Sequence, residues 1–149
     1  MEPFRIHVAD EAIRDLHERL DRTRWPDQVG DPWVYGTDST YLRELCGYWR
    51  HSFDWRAQEA RLNRYPQWIL ALDDHRVHCI HARSTHAHAQ PLLITHGWPG
   101  SIVEFQGIIE RLTQPERFGG DPADAFHVVC PSIPGYGFSK APARPGFQP

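Results

Sequence analysis

A chain of 149 residues has the size of one ordinary domain and is long enough to bury a core. Hydrophobic residues make up 40% and charged residues 23%, near globular averages, which excludes a disordered chain. Formal charge is -3, with Lys and Arg scattered among acids, so no basic face for nucleic acid is expected.

The N-terminus, MEPFRIHVADEAIRD, lacks a basic segment followed by an apolar one, so no signal peptide is expected. The longest apolar runs, at 68–72 and 92–94, are far too short to span a bilayer, and no membrane anchor is visible. Cys46, Cys79 and Cys130 are odd in number and widely spaced, with no Cys-x-x-Cys pair. They read as buried, inert thiols of a protein in a reducing compartment, and the expected location is cytoplasmic.

In chain order, Asp10 reads as an N-cap, after which Ile13, Leu16 and Leu20 recur at helical spacing. That helix should end near Thr23, because Trp25-Pro26 disfavours continuing it. A second helix is predicted to start at 37–39 and to carry Leu42, Leu45, Tyr48, Trp49 and Phe53 toward a core. Asp54 can cap a third, shorter helix that ends before Tyr65-Pro66. This helical part holds Trp25, Trp33, Trp49 and Trp55, more aromatic surface than such a module easily buries by itself.

After Pro66 the period changes to two. Segments 67–72 and 76–82 read as a hairpin turning at Asp73-Asp74-His75. Pro91–Thr95 is a short apolar run of the kind covered on both faces in a parallel sheet. His96-Gly97-Trp98-Pro99-Gly100-Ser101 follows it, and then Val103, Phe105, Ile108, Ile109 and Leu112 at helical spacing. A loop leads to a strand at 126–130, and the tail PSIPGYGFSKAPARPGFQP shows neither period. The order of elements predicts the opening of a mixed α/β sheet with about four strands, and a chain that stops in a loop reads as truncated. Leu72, Val77, Ile80, Leu93, Ile94, Val103, Phe105, Val128 and Val129 are the predicted core.

HGWPGS, between a buried strand and a helix, is the strongest chemical signal. Gly97 and Gly100 permit a sharp turn, and Pro99 fixes one dihedral and removes a donor. Such a turn can leave a peptide N–H pointing into a cavity, as in the loop that supplies one oxyanion-hole donor in α/β-hydrolases. Gly119-Gly120-Asp121 mimics the start of a nucleophile elbow, but it precedes a strand and reads as a surface loop. Among ten histidines, His75, His78, His81, His86 and His88 cluster in sequence. Two of these lie in a polar loop and two on opposite faces of a strand, so no metal site and no cofactor are expected.

Three blocks carry a resemblance: RTRWPD at 22–27 with YWRHSFDWRAQEARLNRYPQW at 48–68, HCIHARS at 78–84 with PLLITHGWPGSIVEF at 91–105, and FHVVCPSIPGYGFS at 126–139. In order and spacing they resemble the microsomal-type epoxide hydrolases. The resemblance implies an N-terminal helical meander, 1–66 (a family module reaching about 106), packed on the first strands of an α/β-hydrolase sheet begun by 67–149. It implies a two-step reaction on a small-molecule epoxide: an aspartate forms an alkyl-enzyme ester, lid tyrosines protonate the opening oxygen, and a His-activated water releases a vicinal diol. Trp98 would lend its backbone N–H to the oxyanion hole and its indole to the pocket wall, across a cis Trp98-Pro99 bond. His96, Gly97 and Pro99 would shape the turn. The nucleophile, lid tyrosines, acid and catalytic His would all lie beyond Pro149, leaving this chain inactive alone. Assembly as a homodimer is compatible with the resemblance. The alternatives are another α/β-hydrolase, such as a haloalkane dehalogenase or esterase, and a non-catalytic packing or interaction module.

Overall fold

The periodicity of the first sixty residues yields three helices: α1 (Asp10–Asp21), α2 (Ser39–His51) and α3 (Trp55–Leu62). The computed structural model describes residues 1–72 and 75–145. It separates into two compact units, His7–Glu59 and Met1–Ile6 with Ala60–Pro149. In the helical unit the Asp38 carboxylate accepts from the Tyr41 N–H at 2.8 Å and caps α2, and Asp54 accepts from the Ala57 N–H at 2.9 Å. Each satisfies a helix-start donor that would otherwise have no acceptor. Asp10 does not cap. Ala9 occupies that position, and Asp10 opens α1 and pairs with Arg56. Arg56 also binds Glu59 at 2.8 Å, and Glu59 accepts from the Val8 N–H at 2.7 Å. Burial works against the Glu59 carboxylate, but the Val8 N–H and Arg56 together hold its pKa below the ordinary value.

Leu45, Tyr48, Trp49 and Phe53, expected in a core, are exposed. With Ile13 and Leu16 they line an open apolar groove of about 840 Å³ within the helical unit. A pair of helices shares only a narrow seam, and an aromatic face this wide exceeds it.

The second unit is a mixed sheet of five strands: β1 (Glu2–Phe4), β2 (Gln67–Leu72), β3 (His75–Ala82), β4 (Gln90–Leu93) and β5 (Phe126–Pro131). Their order is β1-β2-β3-β5-β4, antiparallel except for the parallel β4–β5 pair. The predicted hairpin is β2–β3, with Trp68 opposite Cys79 and Leu70 opposite Val77; of its turn, Asp73 and Asp74 lie outside the described residues. β1 was not legible, since three residues are too few to show a period. Ile80, Val128 and Cys130 are fully buried at the centre. Burying an aliphatic side chain of that size is worth roughly 1.5–3 kcal/mol. Burial pushes the Cys130 thiol up to about 12, reinforced by Cys79, whose own pKa burial also raises. Both thiols are inert at neutral pH.

Three sequence expectations are corrected here. Within residues 1–149 the run 91–95 is not covered on both faces: β4 is outermost of the five strands these residues supply, and Leu93 is 65% exposed. Leu72 and Val103 are also exposed, one at the hairpin end and the other on the outer side of a turn whose neighbour Ile102 is buried. The helix after HGWPGS is not continuous. A 3-10 turn, Ile102–Gly107, precedes α4 (Ile109–Thr113), with Gly107 ending the tighter segment. Val77, Ile80 and Val128 are buried as expected, and Ile94, Phe105 and Val129 are half-buried.

The sheet has a buried polar centre. His78 of β3 is fully buried against the rings of Phe4 and Phe138, 5.1 and 5.4 Å away, which also contact each other at 5.7 Å. Its Nε2 lies 2.8 Å from Gln67 Oε1 and its Nδ1 2.9 Å from Ser132 Oγ. The Gln67 amide N–H donates to Leu62 O at 3.0 Å, so Oε1 faces the ring and Nε2 carries the imidazole proton. Burial lowers the His78 pKa to about 4. Since the unfolded value is near 6.5, the unfolded chain binds the extra proton first as pH falls. The stability conferred by neutral His78 is complete above pH 6.5 and is lost between 6.5 and 4, by about 3 kcal/mol. Urea unfolding across this range should show that loss, and His78→Gln should flatten it. An unchanged slope in the variant would refute the assignment.

Candidate functional site

Three segments of the sheet unit converge on HGWPGS. The first is β4, whose parallel pairing with β5 is prolonged by the Ile94 N–H donating to Val129 O at 2.9 Å. The second is the 3-10 turn after Ser101. Ser101 and Glu104 form a capping box: Glu104 Oε1 accepts from the Ser101 N–H at 2.8 Å, and Ser101 Oγ accepts from the Val103 N–H at 3.3 Å. The third is the loop after β5, which carries PSIPGYGFS.

His96 is 4% exposed and takes part in both the turn and that loop. Its Nε2 accepts from the Ile133 N–H at 3.1 Å, and its ring meets Tyr136 edge-on at 5.5 Å. A backbone N–H can only donate, so Nε2 is bare and the proton sits on Nδ1. Nδ1 then donates to Gly97 O at 3.0 Å. Gly97 O accepts a second bond, from the Gly100 N–H at 2.9 Å.

This carbonyl belongs to the same planar peptide as the Trp98 N–H. In a trans peptide the two point in opposite directions, so holding Gly97 O inward sends the Trp98 N–H outward. Among the described residues that N–H has no acceptor. The Trp98-Pro99 bond is cis. The Trp98 indole, expected against a pocket wall, is 82% exposed. An unpaired, oriented amide is suited to receiving an oxygen that gains negative charge.

Other singled-out residues lie elsewhere. Asp121 accepts from the Ala123 N–H at 2.9 Å at the start of a surface 3-10 turn, away from any elbow. His86 pairs with Glu116 at 3.0 Å. The sequence reading missed the part played by the tail loop, where Ile133 and Tyr136 engage His96. Its only local sign was the Gly135 and Gly137 pair, both at positive φ.

A parallel strand leading through a glycine-rich turn with a free amide into a helical segment, beside a second parallel strand, defines the opening of an α/β-hydrolase sheet. Residues 90–148 match the family described as alpha/beta hydrolase fold. More narrowly, the chain belongs to the epoxide hydrolase family: residues 1–105 match Epoxide hydrolase N terminus. It is 43% identical over 151 residues to epoxide hydrolase 1 of Oryctolagus cuniculus, covering 98% of this chain and 33% of that protein. The crystal structure of juvenile hormone epoxide hydrolase from Bombyx mori superposes with a TM-score of 0.84 at 31% identity, over 98% of this chain and 35% of that one. For the Aspergillus niger epoxide hydrolase the values are 0.76, 33%, 95% and 37%. The chain thus spans about a third of the length of these relatives. Among the described residues no helix is long and apolar enough to cross a membrane.

Gly100 tests the turn. A Cβ there would lie 3.0 Å from Gly97 O and collide with the Glu104 carboxylate. Gly100→Ala should break the Glu104 cap and destabilise the chain by about 1–3 kcal/mol. Urea midpoints within error of wild type would contradict the packing described.

Proposed function

We propose that residues 1–149 provide the N-terminal helical module and the oxyanion-binding turn of an epoxide hydrolase that converts a small-molecule epoxide to a vicinal diol. The observation that carries this reading is the Trp98 N–H, held outward and unpaired by a carbonyl bonded from two sides. In such a reaction a carboxylate opens the epoxide to an alkyl-enzyme ester, and water then attacks the ester carbonyl. Negative charge develops on the carbonyl oxygen during that attack, and the Trp98 N–H is the donor for it. His96, Gly97 and Pro99 set the shape of the turn. The nucleophile, the acid that opens the ring and the base come from outside residues 1–149. The carboxylate nearest the turn, Glu104, is already bound to the Ser101 N–H. We further assign residues 1–66 to the family's N-terminal module, whose helices lie in His7–Glu59 and whose first strand, β1, joins the sheet, and 67–149 to the start of the catalytic sheet. A cytoplasmic location suits the free thiols of Cys46, Cys79 and Cys130.

Two measurements test this. Purified residues 1–149 should give no turnover of styrene oxide, and turnover abolished by a substitution inside this chain would overturn the reading. Joined in frame to the remaining two thirds of the Oryctolagus relative, the same residues should support diol formation. Trp98→Pro, which deletes the N–H, should then lower kcat about 100-fold or more, whereas Trp98→Phe retains the donor and most activity. A folded chimera that forms no diol, or full activity in Trp98→Pro, would sink the proposal.

A further inference from the structure

Behind the Trp98 amide lies an unbroken series of hydrogen bonds, all with the same polarity. The His78 N–H donates to Ser139 Oγ at 2.9 Å, and Ser139 Oγ–H donates to Ser132 O at 2.7 Å. Ser132 O shares a peptide with the Ile133 N–H, which donates to His96 Nε2 at 3.1 Å. The other ring nitrogen of His96 donates to Gly97 O at 3.0 Å, and Gly97 O shares a peptide with the Trp98 N–H. Ser139 is nine-tenths buried, Ser132 almost completely so, and His96 is 4% exposed, so bulk water has little access to compete for these bonds.

From this geometry we infer that His96 is a positioning residue. In its Nδ1–H tautomer, dictated by the Ile133 N–H, it relays the orientation of the post-β5 loop into the Gly97–Trp98 peptide and aims the Trp98 donor. The inference rests on the proposed role of the Trp98 N–H as oxyanion donor. Two physical effects act through the series. Planarity of the two peptides turns each accepted bond into a direction for the N–H on the opposite side. Aligned bonds also polarise one another, so each donor strengthens the acidity of the next. The imidazole is suited to its place because one rigid ring accepts from one segment and donates to another. Gly100 N–H also holds Gly97 O, but from within the same turn, and it carries no information from the loop.

The test is NMR on the 149-residue chain itself, labelled with 15N and 13C. Wild type should show His96 with a protonated Nδ1 and a bare Nε2. His96→Gln can still accept from Ile133 but has no donor placed at the Nδ1 position; the Gly97 carbonyl 13C should move upfield and the Trp98 amide should shift with it. His96→Asn places an amide N–H near the Nδ1 position and should restore the Gly97 carbonyl toward wild type. Ser139→Ala leaves His96 in place, and it should move the same signals in the same direction by less. A His96 protonated on Nε2 overturns the inference, as do Gly97 and Trp98 signals that ignore both His96→Gln and Ser139→Ala. These signals do not depend on epoxide turnover. Loss of the relay therefore refutes this inference alone, whereas an inactive chimera with the relay intact refutes the oxyanion assignment.

Discussion

A buried imidazole must find partners for both nitrogens, and His78 imposes that requirement on the whole sheet unit. Leaving one such group unsatisfied costs about 1–3 kcal/mol, a sizeable fraction of the stability of a domain. Gln67 serves one nitrogen from β2 and Ser132 serves the other from the end of β5. Phe4 of β1 and Phe138 of the following loop close over the ring. One side chain therefore touches β1, β2, the end of β5 and the loop that follows it. The loop after β5 is drawn back to β3 by backbone bonds as well: Ser139 accepts from the His78 N–H, and the Lys140 N–H donates to Arg76 O at 3.0 Å. Gly137, at positive φ, lies so close to Ser132 Oγ that a Cβ would fall 3.0 Å from it.

The two buried histidines use opposite tautomers for distinct purposes. His78 keeps its proton on Nε2 for Gln67, and its Nδ1 accepts from Ser132. His96 keeps its proton on Nδ1 for Gly97, and its Nε2 accepts from Ile133. Ser132 and Ile133 are adjacent, so the residue that satisfies one imidazole is joined by a single peptide to the residue that orients the other. Core stability and turn geometry are coupled through this peptide. The His78 centre is also more deeply enclosed than the turn it supports, which places the rigid element beneath the one that meets solvent.

Much of this was legible because it is local. Apolar periodicity gave the helices and the β2–β3 hairpin, and Asp38 and Asp54 lie where side-chain caps are needed. HGWPGS announced a tight turn between a strand and a helical segment. The capping box was equally present as Ser101-x-x-Glu104 and could have been read from its spacing. Other features had no local signature. The bonds from His96 to Ile133 and from His78 to Ser132 join residues 37 and 54 positions apart, and neither period nor propensity encodes them. The tail was read as punctuated loop because its order comes from these long-range bonds, with Gly135 and Gly137 as the only sign of a specific path. The apolar run of β4 is the kind found in covered strands, and within residues 1–149 Leu93 is left exposed because β4 is outermost of the strands these residues supply.

The arrangement also bears on how an active site can be divided along a chain. A nucleophile and its base must be placed together within hydrogen-bond reach, so they depend on one another's segments. An oxyanion donor needs only a fixed direction, and a peptide plane provides one once its carbonyl is held. Among the described residues that carbonyl is held by two donors of the sheet unit, His96 from behind the turn and Gly100 from within it, and His96 is itself held by the Ile133 N–H. The electrostatic contribution of such a donor comes from its being oriented before charge develops, without reorganising during the reaction. On the proposed reading of the Trp98 amide, this half of an oxyanion site is complete within residues 1–149, because its direction is fixed by bonds made inside them.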